Sequence, residues 1–173
     1  MEIRPERPAD HAAIAEVVTA AFGSPAEAVL VERIRASPHY RPAYALVAEL
    51  DGRVVGHVMV SEVGLRGDDV ERPILSLSPL AVAPDVHGRG IGSALVLDVA
   101  ARVDADGHPL IVLEGSPMYY ARFGFTDARE HGIRIDLPDW APPEAGQVLC
   151  LARDDPSITG AVVYPPAFAD LPH

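Results

Sequence analysis

The run Leu80-Ala81-Val82-Ala83-Pro84-Asp85-Val86-His87-Gly88-Arg89-Gly90-Ile91-Gly92-Ser93 constrains the chain more than any other segment. An apolar stretch ends near Pro84, and three glycines lead into a helical pattern. Ile91, Leu95, Val99 and Val103 recur at every fourth position, and Ala94 widens that face. A strand therefore passes into a helix through backbone that carries almost no side chains. Such backbone lets a ligand approach closely. The first turn of a helix presents N–H groups and the positive end of its dipole, so an anion fits there and a pyrophosphate is the natural guest. Arg89 can add charge from its side chain. On glycine spacing alone, a tight strand-to-helix connection with no ligand is the competing reading.

The rest of the chain frames this turn as one domain, residues 1–173, of α/β type (an α+β mixed sheet). Residues 2–4 read as a short strand. Pro8 to Phe22 reads as a helix with Ile14, Val17, Val18 and Ala21 on one face. A second helix runs from Ser24 to Ala36, opened by a Ser24/Glu27 capping box with Pro25 in the first turn. Ala43–Leu50 and Arg53–Val63 are strands joined by Asp51-Gly52, a hairpin signal because both residues tolerate positive φ. Ile74–Ala83 is a third, largely apolar strand, in which Pro79 predicts an edge or a bulge. Gly107 ends the glycine-led helix, Leu110–Leu113 is a further strand, and Pro117–Phe123 a short helix stopped by Gly124. Residues 133–137, 147–152 and 161–164 read as short strands. The order predicts a mostly antiparallel central sheet with helices on both faces and one right-handed parallel crossover through the glycine-led helix.

Composition removes several chemistries. The chain has no Lys, so neither a Walker-type phosphate loop nor a Schiff-base lysine is available. Its net charge of −11 disfavours nucleic-acid binding and suits a cationic substrate such as an amine. Cys150 is the only cysteine, so no internal disulfide forms. The histidines show no metal-binding spacing, and no metal site is expected. With no signal peptide and no run of about 18 apolar residues, the expected location is the cytoplasm, without membrane contact.

A dinucleotide-binding turn is the rival for the glycines. It wants G-x-G-x-x-G, with an acidic residue about 20 positions on. Here the third glycine is displaced. Glu114 falls near the acidic position, but an antiparallel hairpin precedes the turn rather than a βαβ start.

Two motifs together resemble the GNAT superfamily of N-acetyltransferases. His87-Gly88-Arg89-Gly90-Ile91-Gly92 matches its acetyl-CoA signature Q/R-x-x-G-x-G/A, with His87 at the Gln/Arg position. Tyr120-Ala121-Arg122-Phe123-Gly124-Phe125 resembles the family's Tyr-x-x-x-Gly-Phe element. The element order matches over nearly the whole chain. The Tyr119–Phe125 run and the Tyr164-Pro165-Pro166-Ala167-Phe168 ending resemble the YhbS-like branch. The resemblance implies a GNAT-like acyl-CoA N-acyltransferase fold. It also implies an N-acetyltransferase that moves an acetyl group from acetyl-CoA to a primary amine of a small molecule or peptide by direct attack in a ternary complex.

It further implies site residues. Leu80, Ala81 and Val82 would pair with the pantetheine arm. His87, Gly88, Arg89, Gly90, Ile91, Gly92 and Ser93 would hold the pyrophosphate, mainly through backbone N–H groups. Tyr120 would be the proton donor, since a phenol with a reference pKa of about 10 is protonated at neutral pH; as a residue in an aromatic-rich stretch it also reads as packing. Glu114 is a candidate general base, with a surface carboxylate or helix cap as the plainer reading; Glu49 and Glu62 are further candidates. A catalytically silent acyl-CoA-binding or sensing domain on the same fold is the alternative function. Monomer and homodimer are both open. His57 reads as a core or surface residue, Cys150 as a small core residue and Trp140 as a loop anchor.

Overall fold

The computed structural model describes residues 1–171. Asp51 and Gly52 take positive φ, 51° and 78°, so the two-residue turn follows the twist of a hairpin. The turn joins β2, preceded by a β1 strand at Glu2–Pro5 and itself Ala45–Leu50, to β3 (Arg53–Arg66). β3 turns back at Gly67, whose N–H donates to the Val70 carbonyl at 2.9 Å, into β4 (Glu71–Val82). The chain divides into two compact units. One comprises Met1–Ser61, Leu77–Arg102 and the segment from Pro166; the other comprises Glu62–Ser76 and Val103–Pro165. β3 and β4 each run from one unit into the other.

In the first unit the strand order is β1-β2-β3-β4. β1 and β2 pair antiparallel, with Ile3 opposite Ala48, and β2 and β3 pair with Val47 opposite His57. A 3-10 turn at Pro8–Asp10 leads into α1 (His11–Phe22), and Gly23 closes it with φ 69°. α2 spans Ala26–Arg35. α3 spans Ile91–Ala105 and enters this unit as far as Arg102.

Strand alternation sends successive β3 residues to opposite faces. Gly56 faces α3: a Cβ there would lie 2.9 Å from Leu95 Cδ1 and 3.1 Å from Ile91 Cγ2. His57 points the other way, to Glu6 and the Arg35 end of α2. Helices therefore cover both faces of this part of the sheet, as the element order predicts. Ile14, Val17 and Val18 of α1 and Leu30, Val31 and Ile34 of α2 are buried on one face, and Leu95, Val96 and Val99 of α3 on the other. Burying each large aliphatic chain stabilises the fold by about 1.5–3 kcal/mol.

The expected capping box at Ser24 does not form. Ser24 Oγ accepts from Ala26 N–H at 3.2 Å, two residues on, and Glu27 Oε2 is buried without a partner among the described residues. Ala21, placed on the apolar face of α1, is only half-buried.

In the second unit β5 (Leu110–Glu114) lies parallel to β4, with Leu75 opposite Ile111 and Ser76 opposite Val112. Two short elements follow: α4 (Pro117–Tyr120) with a 3-10 turn at Ala121–Phe123, stopped by Gly124 at φ 94°, and then β6 (Thr126–Asp127). β7 is only Ile133–Arg134, shorter than its apolar pattern suggests. β8 (Gly146–Cys150) pairs antiparallel with β5 and β6. β9 (Gly160–Val163) pairs antiparallel with β3 and parallel with β7. β6 escapes sequence reading because two residues carry no period. The Ser78–Pro79 peptide is cis, inside a β4 that continues to Val82.

Candidate active site

The first unit holds the glycine turn. β4 ends at Val82, Ala83 N–H donates to the Val55 carbonyl at 2.8 Å, and a 3-10 turn at Pro84–Val86 carries the chain to His87. Buried Val86 and Ile91 anchor the two ends of the loop, while His87, Gly88, Arg89 and Gly90 between them are exposed. Gly88 and Gly90 have φ of 79° and 76°, and a Cβ built on either meets nothing within 4 Å. Both positions need glycine for their backbone, and the space beside them is open. The first α-helical bond of α3 runs from Ala94 N–H to the Gly90 carbonyl at 3.0 Å. Ile91, Gly92 and Ser93 thus form the first turn of a 15-residue helix, at its positive end.

Two side chains brace the turn. His87 Nε2–H donates to the Val82 carbonyl at 2.9 Å. The imidazole spans its own loop and fixes it to the end of β4, a role the Gln/Arg position does not announce. Arg53, the first residue of β3, forms a two-pronged pair with Asp85 at 2.7 and 2.9 Å. That pair is exposed and is weak by nature.

The second unit holds Glu114 and Tyr120. β5 ends at Glu114, and Gly115 follows with its peptide held on both sides: its N–H donates to the Ala145 carbonyl at 3.0 Å, and Gln147 Nε2 donates to its carbonyl at 3.1 Å. Gln147 is 2% exposed, so this half of the clamp comes from a buried side chain. Ser116 caps α4, with its Oγ accepting from Tyr119 N–H. The cap role open to Glu114 is therefore taken by Ser116.

Gly115 makes room for Tyr120. A Cβ on Gly115 would lie 2.6 Å from Tyr120 Cε2. The Tyr120 ring also packs edge-on to Tyr119 at 4.9 Å and to Phe125 at 5.7 Å. Burial, with a smaller push from Tyr119, raises the Tyr120 phenol to about 12. It keeps its proton at neutral pH and can give it only to a strongly basic atom. Packing and proton donation are compatible readings of this ring.

Glu114 is exposed and has a partner that sequence reading missed. Tyr164, one residue beyond β9, donates its hydroxyl to Glu114 Oε2 at 2.5 Å. Burial first, then Glu114 and Asp136, push the Tyr164 phenol far above the usual value.

The amino-acid sequence of this chain matches the acetyltransferase (GNAT) domain over residues 2–128. The chain belongs to the GNAT acetyltransferase family. It is 35% identical over 166 residues to the uncharacterised N-acetyltransferase YhbS of Escherichia coli K12, covering 95% of this chain and 96% of that protein. A crystal structure of E. coli YhbS in complex with CoA superposes with a TM-score of 0.86 at 34% identity, over 96% of this chain and 91% of the other. A GNAT acetyltransferase from Brucella melitensis in complex with acetyl-CoA gives 0.78 at 34% identity, over 96% and 97%. The GNAT fold, the YhbS-like branch and the acetyltransferase class expected from the two motifs all stand.

Within this GNAT chain the other candidates settle differently. Glu49 takes the Arg4 guanidinium at 3.1 Å in the first unit, a structural ion pair. His57 is fully buried, its Nε2 donating to Glu6 Oε1 at 3.0 Å, and is a core residue as expected. Cys150 is not a core residue: it is half-exposed on β8, with Sγ 3.6 Å from His131 Nδ1. Trp140 does not anchor its loop, since it is 85% exposed. Backbone bonds from Ala141 N–H to the Pro138 carbonyl and from Ala145 N–H to the Pro142 carbonyl, both at 3.0 Å, shape the segment without burying the ring. No group of metal-ligating side chains occurs among the described residues, and no described helix is long and apolar enough to cross a membrane.

Proposed function

We propose that residues 1–173 act as one acetyl-CoA-dependent N-acetyltransferase domain that transfers the acetyl group to a primary amine by direct attack within a ternary complex. The observation that carries this is the open, positive-φ glycine turn at the start of α3; Tyr120 in the second unit, which holds its proton, supports it separately. The open space beside Gly88 and Gly90 fits a ligand lying against bare backbone. The E. coli and B. melitensis relatives were crystallised with CoA and acetyl-CoA, respectively.

Acetyl-CoA supplies the acyl group as an activated thioester. The N–H groups of the His87–Ser93 turn hold its pyrophosphate, with Arg89 adding charge. The Leu80–Val82 edge of β4 takes the pantetheine arm as an added strand takes a partner, and one of its N–H groups steadies the negative charge that develops on the carbonyl oxygen. Glu114 Oε1 takes a proton from the acceptor ammonium, freeing the nitrogen lone pair. As the N–C bond forms, the attacking nitrogen gives up its excess proton to water, and as the C–S bond breaks the electron pair leaves on the sulfur. A free thiol titrates near about 8.5, so proton transfer to it from a phenol at about 12 is uphill, and Tyr120 Oη keeps its proton and donates a hydrogen bond to the leaving thiolate.

The test is CoA release from acetyl-CoA across a panel of primary amines. A saturable acceptor confirms a transferase. Binding of acetyl-CoA without release for any amine, in both wild type and Tyr120→Phe, leaves a silent acyl-CoA-binding domain instead.

A further inference from the structure

Glu114 sits at the exposed end of a strand, and an exposed glutamate has three side-chain torsions and no reason to hold one geometry. A carboxylate that must meet an amine needs a fixed position, because misplacement by about 1 Å costs on the order of a hundredfold in rate. The second unit supplies the constraint from 50 residues away. Tyr164 Oη donates to Glu114 Oε2 at 2.5 Å. Its backbone follows β9, which is pinned by β3 on one side (Gly64 opposite Val163) and by β7 on the other. A tyrosine has only two torsions and loses little freedom when fixed. At the other end, the Gly115 peptide directly after Glu114 is clamped by Ala145 and Gln147.

We propose that Tyr164 is a positioning residue: its hydroxyl holds Glu114 by Oε2 and leaves Oε1 to receive the ammonium of a cationic alkylamine acceptor. This rests on the transferase reading above. The hydrogen-bond polarity follows from the pair: a carboxylate oxygen accepts, and the Tyr164 phenol, raised by burial and by Glu114, carries its proton at neutral pH.

The probe is cadaverine, a primary diamine with no carboxylate, assayed with acetyl-CoA on the full chain. Wild type should turn it over. Tyr164→Phe should raise the KM for cadaverine roughly tenfold, the loss expected from removing one hydrogen bond to a charged group, with the KM for acetyl-CoA within twofold. Glu114→Gln, an exposed change, should reproduce the rise and also lower kcat, since it removes the proton acceptor, and the double variant should be no worse than Glu114→Gln alone. An unchanged cadaverine KM in Tyr164→Phe, or losses that multiply in the double variant, overturns the proposal. So does a wild type that binds acetyl-CoA by calorimetry but does not turn over cadaverine. A wild type that fails to bind acetyl-CoA sinks the transferase reading itself.

Discussion

The glycine turn in the first unit and the Glu114–Tyr120–Tyr164 group in the second are built on opposite plans. The turn is made of backbone. Its geometry comes from Gly88 and Gly90 at positive φ, and its chemistry from N–H groups at the start of α3. The second group is made of side chains brought together from three places in the chain, each held by something else: Tyr120 against Gly115, Glu114 against Tyr164, and Gly115 between Ala145 and Gln147. Backbone chemistry tolerates side-chain change, so a histidine can stand at the Gln/Arg position and take a bracing role instead. Side-chain chemistry depends on each partner.

That contrast orders the expected effects of substitution. The largest falls on the side-chain plan. Tyr120→Phe should lower kcat with the amine found in the panel by on the order of a hundredfold, leaving acetyl-CoA affinity unchanged. Equal loss of affinity and rate would mean that the ring serves only to pack. Next is Gly115→Ala, which drives a methyl group into the Tyr120 ring. It should cost about 1–3 kcal/mol of stability and lower kcat more than it changes the acetyl-CoA Kd.

On the backbone plan the effect of one side chain is smaller. His87→Ala removes one hydrogen bond within the loop, about 1 kcal/mol, so the acetyl-CoA Kd should rise about fivefold with kcat unchanged. A loss above a hundredfold would mean that the imidazole itself touches the cofactor.

A buried charge network sharpens the comparison by pH. In the first unit His57 and Glu6 face each other, with Arg35 Nε donating to Glu6 Oε2 at 2.7 Å and His11 3.3 Å away. Burial holds His57 below its usual value against the pull of Glu6. Burial pushes Glu6 up, but hydrogen bonds from His57 and Arg35 outweigh it and hold it low. In both cases the folded chain binds fewer protons than the unfolded one. The His57 contribution is complete above pH 6.5 and falls away as the pH drops; that of Glu6 follows below pH 4.5. Thermal melting from pH 8 to pH 5 should show a falling Tm, reduced in His57→Gln. A flat profile would contradict this. The smallest effect is expected for Arg53→Ala, an exposed pair with Asp85, which should leave the Tm unchanged.

The same contrast explains what was legible. Glycine spacing followed by a four-residue apolar period is a local signal, and the strand, turn and helix at Leu80–Val103 follow from it. Asp51-Gly52 fixes its hairpin for the same reason. Tyr120 is legible because its motif is contiguous. The Tyr164 contact to Glu114 joins residues 50 positions apart, and nothing local to either one announces it. Gly56 and Gly115 carry ordinary φ, so their role as contact points for α3 and for Tyr120 is set by packing alone. Ser24 shows the reverse error: a local pattern for a capping box is present, but the side chain takes the nearer N–H of Ala26. Residue type alone places Cys150 in the core and Trp140 as an anchor, but Cys150 ends β8 beyond the residues that pair with β6, and Trp140 is exposed in its loop.

The central claim is that the glycine turn binds acetyl-CoA through its backbone, and calorimetric titration tests it most directly. Wild type should bind acetyl-CoA saturably and should not bind NADH, and a Gly90→Glu/Gly92→Glu variant that melts like wild type should lose the binding. Saturable binding retained by that variant, or NADH bound in place of acetyl-CoA, would contradict the account.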